Sequence, residues 1–505
     1  MKNLRILLFV VAASLFAACD DAIDITQPGE LLPEEAFTSL EDMQLGLNGV
    51  YGTVGGERAI VFTSIFTDEV RVGRANGGQG IGDGGLSFLL NSNSDDAASI
   101  WLSNYTTINF ANRLIEGSAG IELAEGEELT YNNIIGQARA LRAYAHFQLL
   151  TYFSTNMKDD AALGVIALDR VPTKEEKLPR NTNAEVFALI NSDLDFASDN
   201  ISASFLSTRD YVTKDAVTAI RARLAAYRGQ YDVAEGYANT LIGKTTYGLA
   251  AKGTYTITNP ASLVAAGNGG SPYFKMFRDL PLGSSATAPN EVIFKIVRPV
   301  TPNTGNFYQA WSSVNSSTTG GAFFEVSTAL FNRLAVDDVR RVAIIDPTAA
   351  LLGYSVRPVG KHGFSKNTNL LADVKLFRNS EMYLIKAEAQ ANRSDFAGVA
   401  ATINIVRDAR FGNTSGRIGV PANAQEAWAA VLNERRIELA FEGHRYIDIK
   451  RLGAAANSGI DRIAAECEQF NACSLDLSDH RWTLPVPRQE LSANPNIQQN
   501  PGYNN

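Results

Sequence analysis

The sequence predicts a mainly α fold in which paired helices build a scaffold and an irregular, loop-rich half packs against it. Three observations carry this reading. Apolar residues recur at steps of three and four through several long stretches, two of those stretches share a hairpin design, and the segments between them are rich in Gly, Ser, Thr, Asn and Pro. At 505 residues, with 45% hydrophobic and 20% charged, the composition is that of an ordinary globular chain able to bury a large core.

Taken in order, the N-terminus comes first. Lys2 and Arg5 lead into an apolar run from Ile6 to Val11 and a small-residue stretch ending at Ala18, the pattern of a secretory signal peptide over residues 1–18. The run from Ile6 to Ala18 is shorter than the roughly 20 residues of a spanning helix and has no basic flank after it. Leu15-Phe16-Ala17-Ala18-Cys19 resembles a lipobox, with Phe16 where Leu is usual. On that reading the mature chain begins at Cys19, whose several acyl chains make a permanent membrane tether where one chain would bind only marginally. Residues 19–36 form the lipidated tether, long enough to let the globular part move without leaving the membrane.

The next elements are helical. Ile134, Ile135, Ala138, Leu141, Ala145, Leu149 and Tyr152 share one face, as do Val186, Phe187, Ile190, Leu194 and Ala197. Val217, Ile220, Leu224 and Tyr227 continue the pattern, Gly229-Gln230 breaks it, and Tyr231, Ala234, Ala238 and Leu241 resume it, which reads as a helical hairpin. A second hairpin spans Met382 to Ala409, where Phe396, Val399, Ile403 and Val406 repeat the spacing of Tyr231 to Leu241. The repeat points to tetratricopeptide-like helix pairs, which bury their apolar faces by stacking. Residues 73–98 and 252–320 are polar and Gly-rich, with short strand-like runs such as Val292 to Val297, and loops this long built onto a helical scaffold are where a binding surface is expected.

Several chemistries find no support. The four His, at 146, 362, 444 and 480, form no His-Glu-x-x-His pair, and no Gly-x-Ser-x-Gly elbow occurs. Gly80-Ile81-Gly82-Asp83-Gly84-Gly85 matches a dinucleotide fingerprint formally, but it follows Ala75-Asn76-Gly77-Gly78 rather than a strand, so it reads as a loop needing unusual backbone angles. Among 54 acidic residues nothing singles out a glycosidase pair. The net charge of −9 becomes more negative by two charges when Lys2 and Arg5 are removed, which argues against nucleic acid. With Cys19 spent on lipid, Cys467 and Cys473 remain. An oxidising compartment suits their pairing as a local staple contributing about 2 kcal/mol, and two free thiols are the alternative. His480 alone cannot complete a Zn site there. No enzyme activity, cofactor or metal is expected.

Asn433-Glu434-Arg435-Arg436-Ile437-Glu438-Leu439-Ala440-Phe441-Glu442-Gly443-His444-Arg445-Tyr446-Ile447-Asp448-Ile449-Lys450-Arg451 closely resembles the signature helix of the SusD/RagB family. Arg378 to Ala389, Asn404 to Arg410, and the ending Leu484-Pro485-Val486-Pro487 with Asn494 to Tyr503 support the match, as do Tyr105–Arg113, Ala138–Phe153 and Tyr211–Ile242. The resemblance implies a tetratricopeptide-like N-terminal helical region over 37–250, a loop-rich ligand-binding region over 251–378 and a C-terminal region over 379–505, all in one globular unit. It implies an outer-membrane lipoprotein at the cell surface that captures oligosaccharide or polysaccharide and delivers it to a SusC-like TonB-dependent transporter. Peptide capture is the alternative within the family, and a periplasmic tetratricopeptide scaffold the alternative outside it. Asp20 and Asp21, just after the lipidated Cys, resemble the surface-export signal of Bacteroidota lipoproteins, a solvated linker being the other reading. Within the signature helix, Arg435 and Glu438, Glu442 and Arg445, and Asp448 and Arg451 stand at i,i+3, and His444 and Asp448 at i,i+4, spacings that predict a partly buried structural ion network.

Sugar rings are held by flat aromatic faces, with Asn, Asp, Gln and Arg taking the hydroxyls. Trp428 and Trp482 adjoin apolar residues and belong to the core on this reading, whereas Trp101 and Trp311 stand beside polar stretches. The ligand-binding candidates are therefore Trp101 and Asn104, Tyr308 and Trp311, with Asp68, Arg71 and Arg74 as polar partners. Core packing is the competing role for both Trp.

Overall fold

Helix dominates the computed structural model, which describes residues 36–504 apart from 75, 79–83, 203–208, 265–269, 281–289, 299–321, 363, 366–367 and 370–371. Cys19, Tyr308 and Trp311 lie outside the described residues. The N-terminal half contains α1 (Leu40–Thr53), α2 (Glu57–Phe66), strand β1 (Val70–Val72), α3 (Asp95–Gly117), α4 (Glu128–Phe153) and α5 (Asn183–Asn200). Helix α4 carries the apolar face read from Ile134 to Tyr152 and packs between α3 and α5, with Ile134, Leu141 and Leu149 fully buried. Helix α5 begins where the Thr182 hydroxyl accepts from the Glu185 amide and the Glu185 carboxylate takes the Thr182 amide, a reciprocal cap that satisfies otherwise orphaned donors.

The first predicted hairpin is α6 (Lys214–Tyr227) and α7 (Tyr231–Ile242), turned at Gly229 with φ +74°. The second is α8 (Asn379–Asn392) and α9 (Phe396–Phe411), turned at Ser394 and restarted by Asp395, whose carboxylate accepts from the Gly398 amide at 2.9 Å. Helix α7 packs on α8, so the two hairpins stack although about 150 residues separate them in sequence. Between them, β2 (Val292–Ile296) pairs antiparallel with a second strand at Val374–Arg378, and β1 pairs with β3 (Phe324–Val326) in the register Val70↔Val326 and Val72↔Phe324. One apolar core joins residues from Met43 to Ile497. Among the described residues no helix is long and apolar enough to cross a membrane.

The segment Asn433–Arg451 is two helices rather than one. Helix α10 (Ala424–Glu438) stops, the chain turns through Phe441 at φ +61° and Gly443 at φ +85°, and α11 (Arg445–Ala456) begins. A buried Phe in the left-handed region costs about 1–2 kcal/mol, and here both its backbone groups are held: its amide donates to Glu69 at 3.1 Å and its carbonyl lies 2.6 Å from His362 Nε2. The break changes the ion pairs expected of a continuous helix. Asp448 and Arg451 do meet at 2.9 Å, but Arg435 turns to Asp448 and Glu388, Glu442 takes Arg378 and Lys361, and Arg445 reaches Asp68.

Candidate functional site

Two polar assemblies flank the turn, one buried and one opening to solvent. The buried one centres on Glu438, whose carboxylate accepts from Arg410 at 2.8 Å, Arg378 at 2.9 Å and Arg340 at 3.3 Å. Burial works against ionising Glu438, but the guanidinium groups of Arg410, Arg378 and Arg340 outweigh it and hold the carboxyl well below the usual range. Glu291 joins Arg378 to Arg410, and Glu434 and Asp338 complete the shell of Arg340. These side chains are buried, so the assembly ties α9, α10, β2 and the segment after β3 together and offers no surface to a ligand.

Asp68 belongs to the same interior. Its carboxylate accepts from Arg445 Nε at 2.9 Å and the Asp461 amide at 2.8 Å, with Arg436 at 3.2 Å. Burial opposes its ionisation, yet Arg436 and Arg445 hold its pKa far below the ordinary value. The expectation that Asp68 meets ligand is corrected: every lobe of its carboxylate serves the fold. Beside it, burial pushes Glu69 up to about 7 against hydrogen bonds from Ser64 and the Phe441 amide.

Trp101 is corrected in the same way. It is 0% exposed on α3, edge-on to Phe153 at 4.8 Å and tilted against Tyr105 at 5.0 Å. The sequence carried the signal: Ala97, Ile100, Trp101, Ile108 and Ala111 recur at helical spacing, and the polar residues before Asp95 lie ahead of the helix rather than around the ring. Asn104, half-buried, donates to the Ile100 carbonyl at 2.7 Å, so one of its amide hydrogens serves its own helix. Trp428 and Trp482 are buried, as expected.

The open assembly is the rim of the β1–β3 pair. Register places Arg71 opposite Glu325, and the buried Glu325 carboxylate accepts from Arg71 Nη2 at 2.6 Å, the Arg74 amide at 2.9 Å and the Arg357 amide at 3.1 Å. Gly73 is required at this crossing, because a Cβ there would stand 1.9 Å from the Ala322 carbonyl oxygen. Arg357 donates to Thr328 Oγ1 at 2.6 Å, and burial with the nearby Arg71 charge lowers its pKa to about 10. Arg357 and Arg341 lie over the Phe331 ring, Arg341 also over Tyr354, and the two half-buried rings sit 5.2 Å apart. Glu466 closes the rim: it takes the Thr328 hydroxyl at 2.6 Å and lies 3.8 Å from both Arg71 and Arg357. It sits on the one-turn helix Ala464–Cys467, which the Cys467–Cys473 disulfide staples.

The rim thus presents the partly exposed edge of Arg71, the exposed Arg74 side chain and the half-buried Phe331–Tyr354 pair. Such a surface can donate to hydroxyls and cover C–H faces. Glu325, Phe331, Tyr354 and Arg357 were not among the sequence candidates. Among the described residues no cluster of three His, Cys, Asp or Glu is set to hold a metal ion.

A helical scaffold with a polar, aromatic rim and ion pairs sunk into its interior defines a binding-protein architecture. Comparison with known proteins gives the family. The model of the SusD family matches residues 346–503, and a second model, described as starch-binding associating with outer membrane, matches residues 25–225. SusD-like protein P2 of Formosa agariphila is 24% identical over 553 aligned positions covering 100% of both chains, and a SusD-like protein of Bacteroides ovatus is 24% identical over 40% of this chain and 35% of its own. Among solved structures, a SusD superfamily protein from Bacteroides vulgatus superposes with a TM-score of 0.73 at 22% identity, covering 93% of this chain and 100% of that one. A SusD-like carbohydrate binding protein from the same organism gives 0.69 at 20% identity, covering 91% and 98%. The chain belongs to the SusD/RagB family.

Proposed function

We propose that this protein is a lipid-anchored carbohydrate-capturing protein of the outer membrane surface, tethered through Cys19, that passes oligosaccharide or polysaccharide to a SusC-like TonB-dependent transporter. The observation that carries the reading is the β1–β3 rim. Arg71 offers a guanidinium held in place by a buried Glu325, Arg74 an exposed guanidinium whose backbone amide is held by the same carboxylate, and the half-buried Phe331–Tyr354 pair adds ring surface beside them. Preset donors next to aromatic rings fit a neutral, hydroxyl-rich ligand with little reorganisation. The starch-binding description of the family model and the carbohydrate-binding description of the B. vulgatus structure support the same class of ligand. Trp101 and Asn104 drop out of the proposed site. Tyr308 and Trp311 remain proposed contributors on sequence grounds.

Isothermal titration of the mature chain against glycans and peptides, together with gentle solubilisation of native membranes, tests this. Saturable binding of a glycan and co-purification of a large barrel protein are expected. Binding only to peptides would replace the ligand class, and a chain that purifies without any barrel would contradict delivery to a transporter.

A further inference from the structure

Behind the signature segment lies a cavity of about 150 Å³, roughly five water volumes. It opens where the C-terminal end of α4 and the turn after it meet α6 and α11, and Thr155, Asn156, Lys158, Tyr227, Lys450 and Arg451 line it. Three of these side chains are cationic and the lining contains no carboxylate, in a protein whose net charge is −9.

The three cations are not equivalent. Arg451 is spent: it meets Glu388 at 2.5 Å and Asp448 at 2.9 Å. Lys450 Nζ donates to the Ser154 carbonyl at 2.7 Å and lies 3.5 Å from that of Thr151, so only neutral oxygens face it. Lys158 forms no ion pair among the described residues, and its stem lies over Gly229, where a Cβ would come within 3.3 Å of its Cδ and Cε. Lys450 and Lys158 therefore line one cavity with no carboxylate among its lining residues, and the opposing charge that acts on Lys158, that of Glu388, is already paired with Arg451. Burial lowers the Lys450 pKa to about 7, and burial with the Arg451 charge lowers that of Lys158. Holding the Lys450 ammonium out of water beside other cations carries a cost that an anion bound in the cavity would relieve. Exposed Thr155 and Asn156 at the mouth leave a way in.

We propose that this cavity binds a small oxyanion, either free sulfate or the carboxylate of an acidic sugar, through Lys450 and Lys158. The assignment is independent of the carbohydrate reading, because an inorganic ion tests it. The mature chain is titrated below neutral pH with sodium sulfate and with sodium glucuronate at constant ionic strength, using the wild type, Lys450→Met and Lys158→Gln. One saturable site is expected in the wild type, weakened roughly tenfold or more in Lys450→Met and several-fold in Lys158→Gln, the scale of a lost charge-assisted hydrogen bond. Lys158 is exposed, so its variant should melt with the wild type in the absence of anion and carries the test if Lys450→Met does not fold. Preference between sulfate and glucuronate assigns the source of the oxyanion. Absence of saturable binding to both in the wild type, or equal affinity in all three proteins, would overturn the proposal.

Discussion

The Glu438 assembly and the β1–β3 rim are built from the same residue types, yet they sit at opposite ends of exposure. Arg340, Arg378 and Arg410 are at most 1% exposed and spend their donors on carboxylates, backbone carbonyls and, for Arg378, the Ser380 hydroxyl, whereas the Arg71 side chain is 24% exposed and Arg74 is open to solvent. The stretch by which the family is recognised is thus the stretch that holds the fold, and the proposed ligand contact falls outside it, on Arg71 and Arg74 together with Phe331 and Tyr354, two rings the sequence did not single out. Buried ion pairs are costly to break because a lost partner leaves a charge uncompensated, while an exposed rim charge such as that of Arg74 is screened and cheap to remove.

That contrast orders the expected effects. Glu438→Ala leaves three buried guanidinium groups each short of one carboxylate and should destabilise the protein by about 3–5 kcal/mol, read from chemical denaturation; a change below about 1 kcal/mol would break the comparison. Trp101→Ala opens a void against Phe153 and should cost a similar 3–5 kcal/mol. The milder Trp101→Phe should leave glycan affinity unchanged.

Next in size is the response of Glu69 to pH. An acid raised from its ordinary 4.5 to about 7 binds more protons folded than unfolded, so its contribution to stability declines as pH rises through that interval and the cost is complete above it. Glu69→Gln keeps an acceptor for the Phe441 amide and removes the charge. Its stability relative to wild type should rise between acidic and mildly alkaline denaturation series, and a difference that stays flat with pH would refute the assignment. Smallest in stability is Arg74→Ala, expected within about 0.5 kcal/mol of wild type, since only the Arg74 backbone amide enters the rim's hydrogen bonds.

The helical hairpins were legible because their apolar spacing survives tertiary packing: Tyr231, Ala234, Ala238 and Leu241 are buried as the periodicity requires. The pairing of Cys467 with Cys473 was also within reach of counting and compartment. What escaped were contacts that only register and turns decide. Glu325 lies 254 residues from Arg71, and three-residue strands give period-2 patterning too little length to show. The turn at Phe441 was hidden because a buried aromatic with positive φ contradicts local preference, and the interior bonds that hold it are not local. Trp101 was misplaced by weighing its polar neighbours in sequence above its own helical face.

The most direct test is calorimetric titration of one glycan that the wild type binds into Arg71→Ala/Arg74→Ala and into Trp101→Phe, with melting of each protein measured alongside. The rim variant should lose at least about tenfold in affinity while remaining folded, with a lowered melting temperature because the buried Glu325 loses its Arg71 partner, and Trp101→Phe should bind as wild type does. Undiminished affinity in a folded rim variant, or loss of affinity in Trp101→Phe, would contradict the placement of the ligand at the β1–β3 rim.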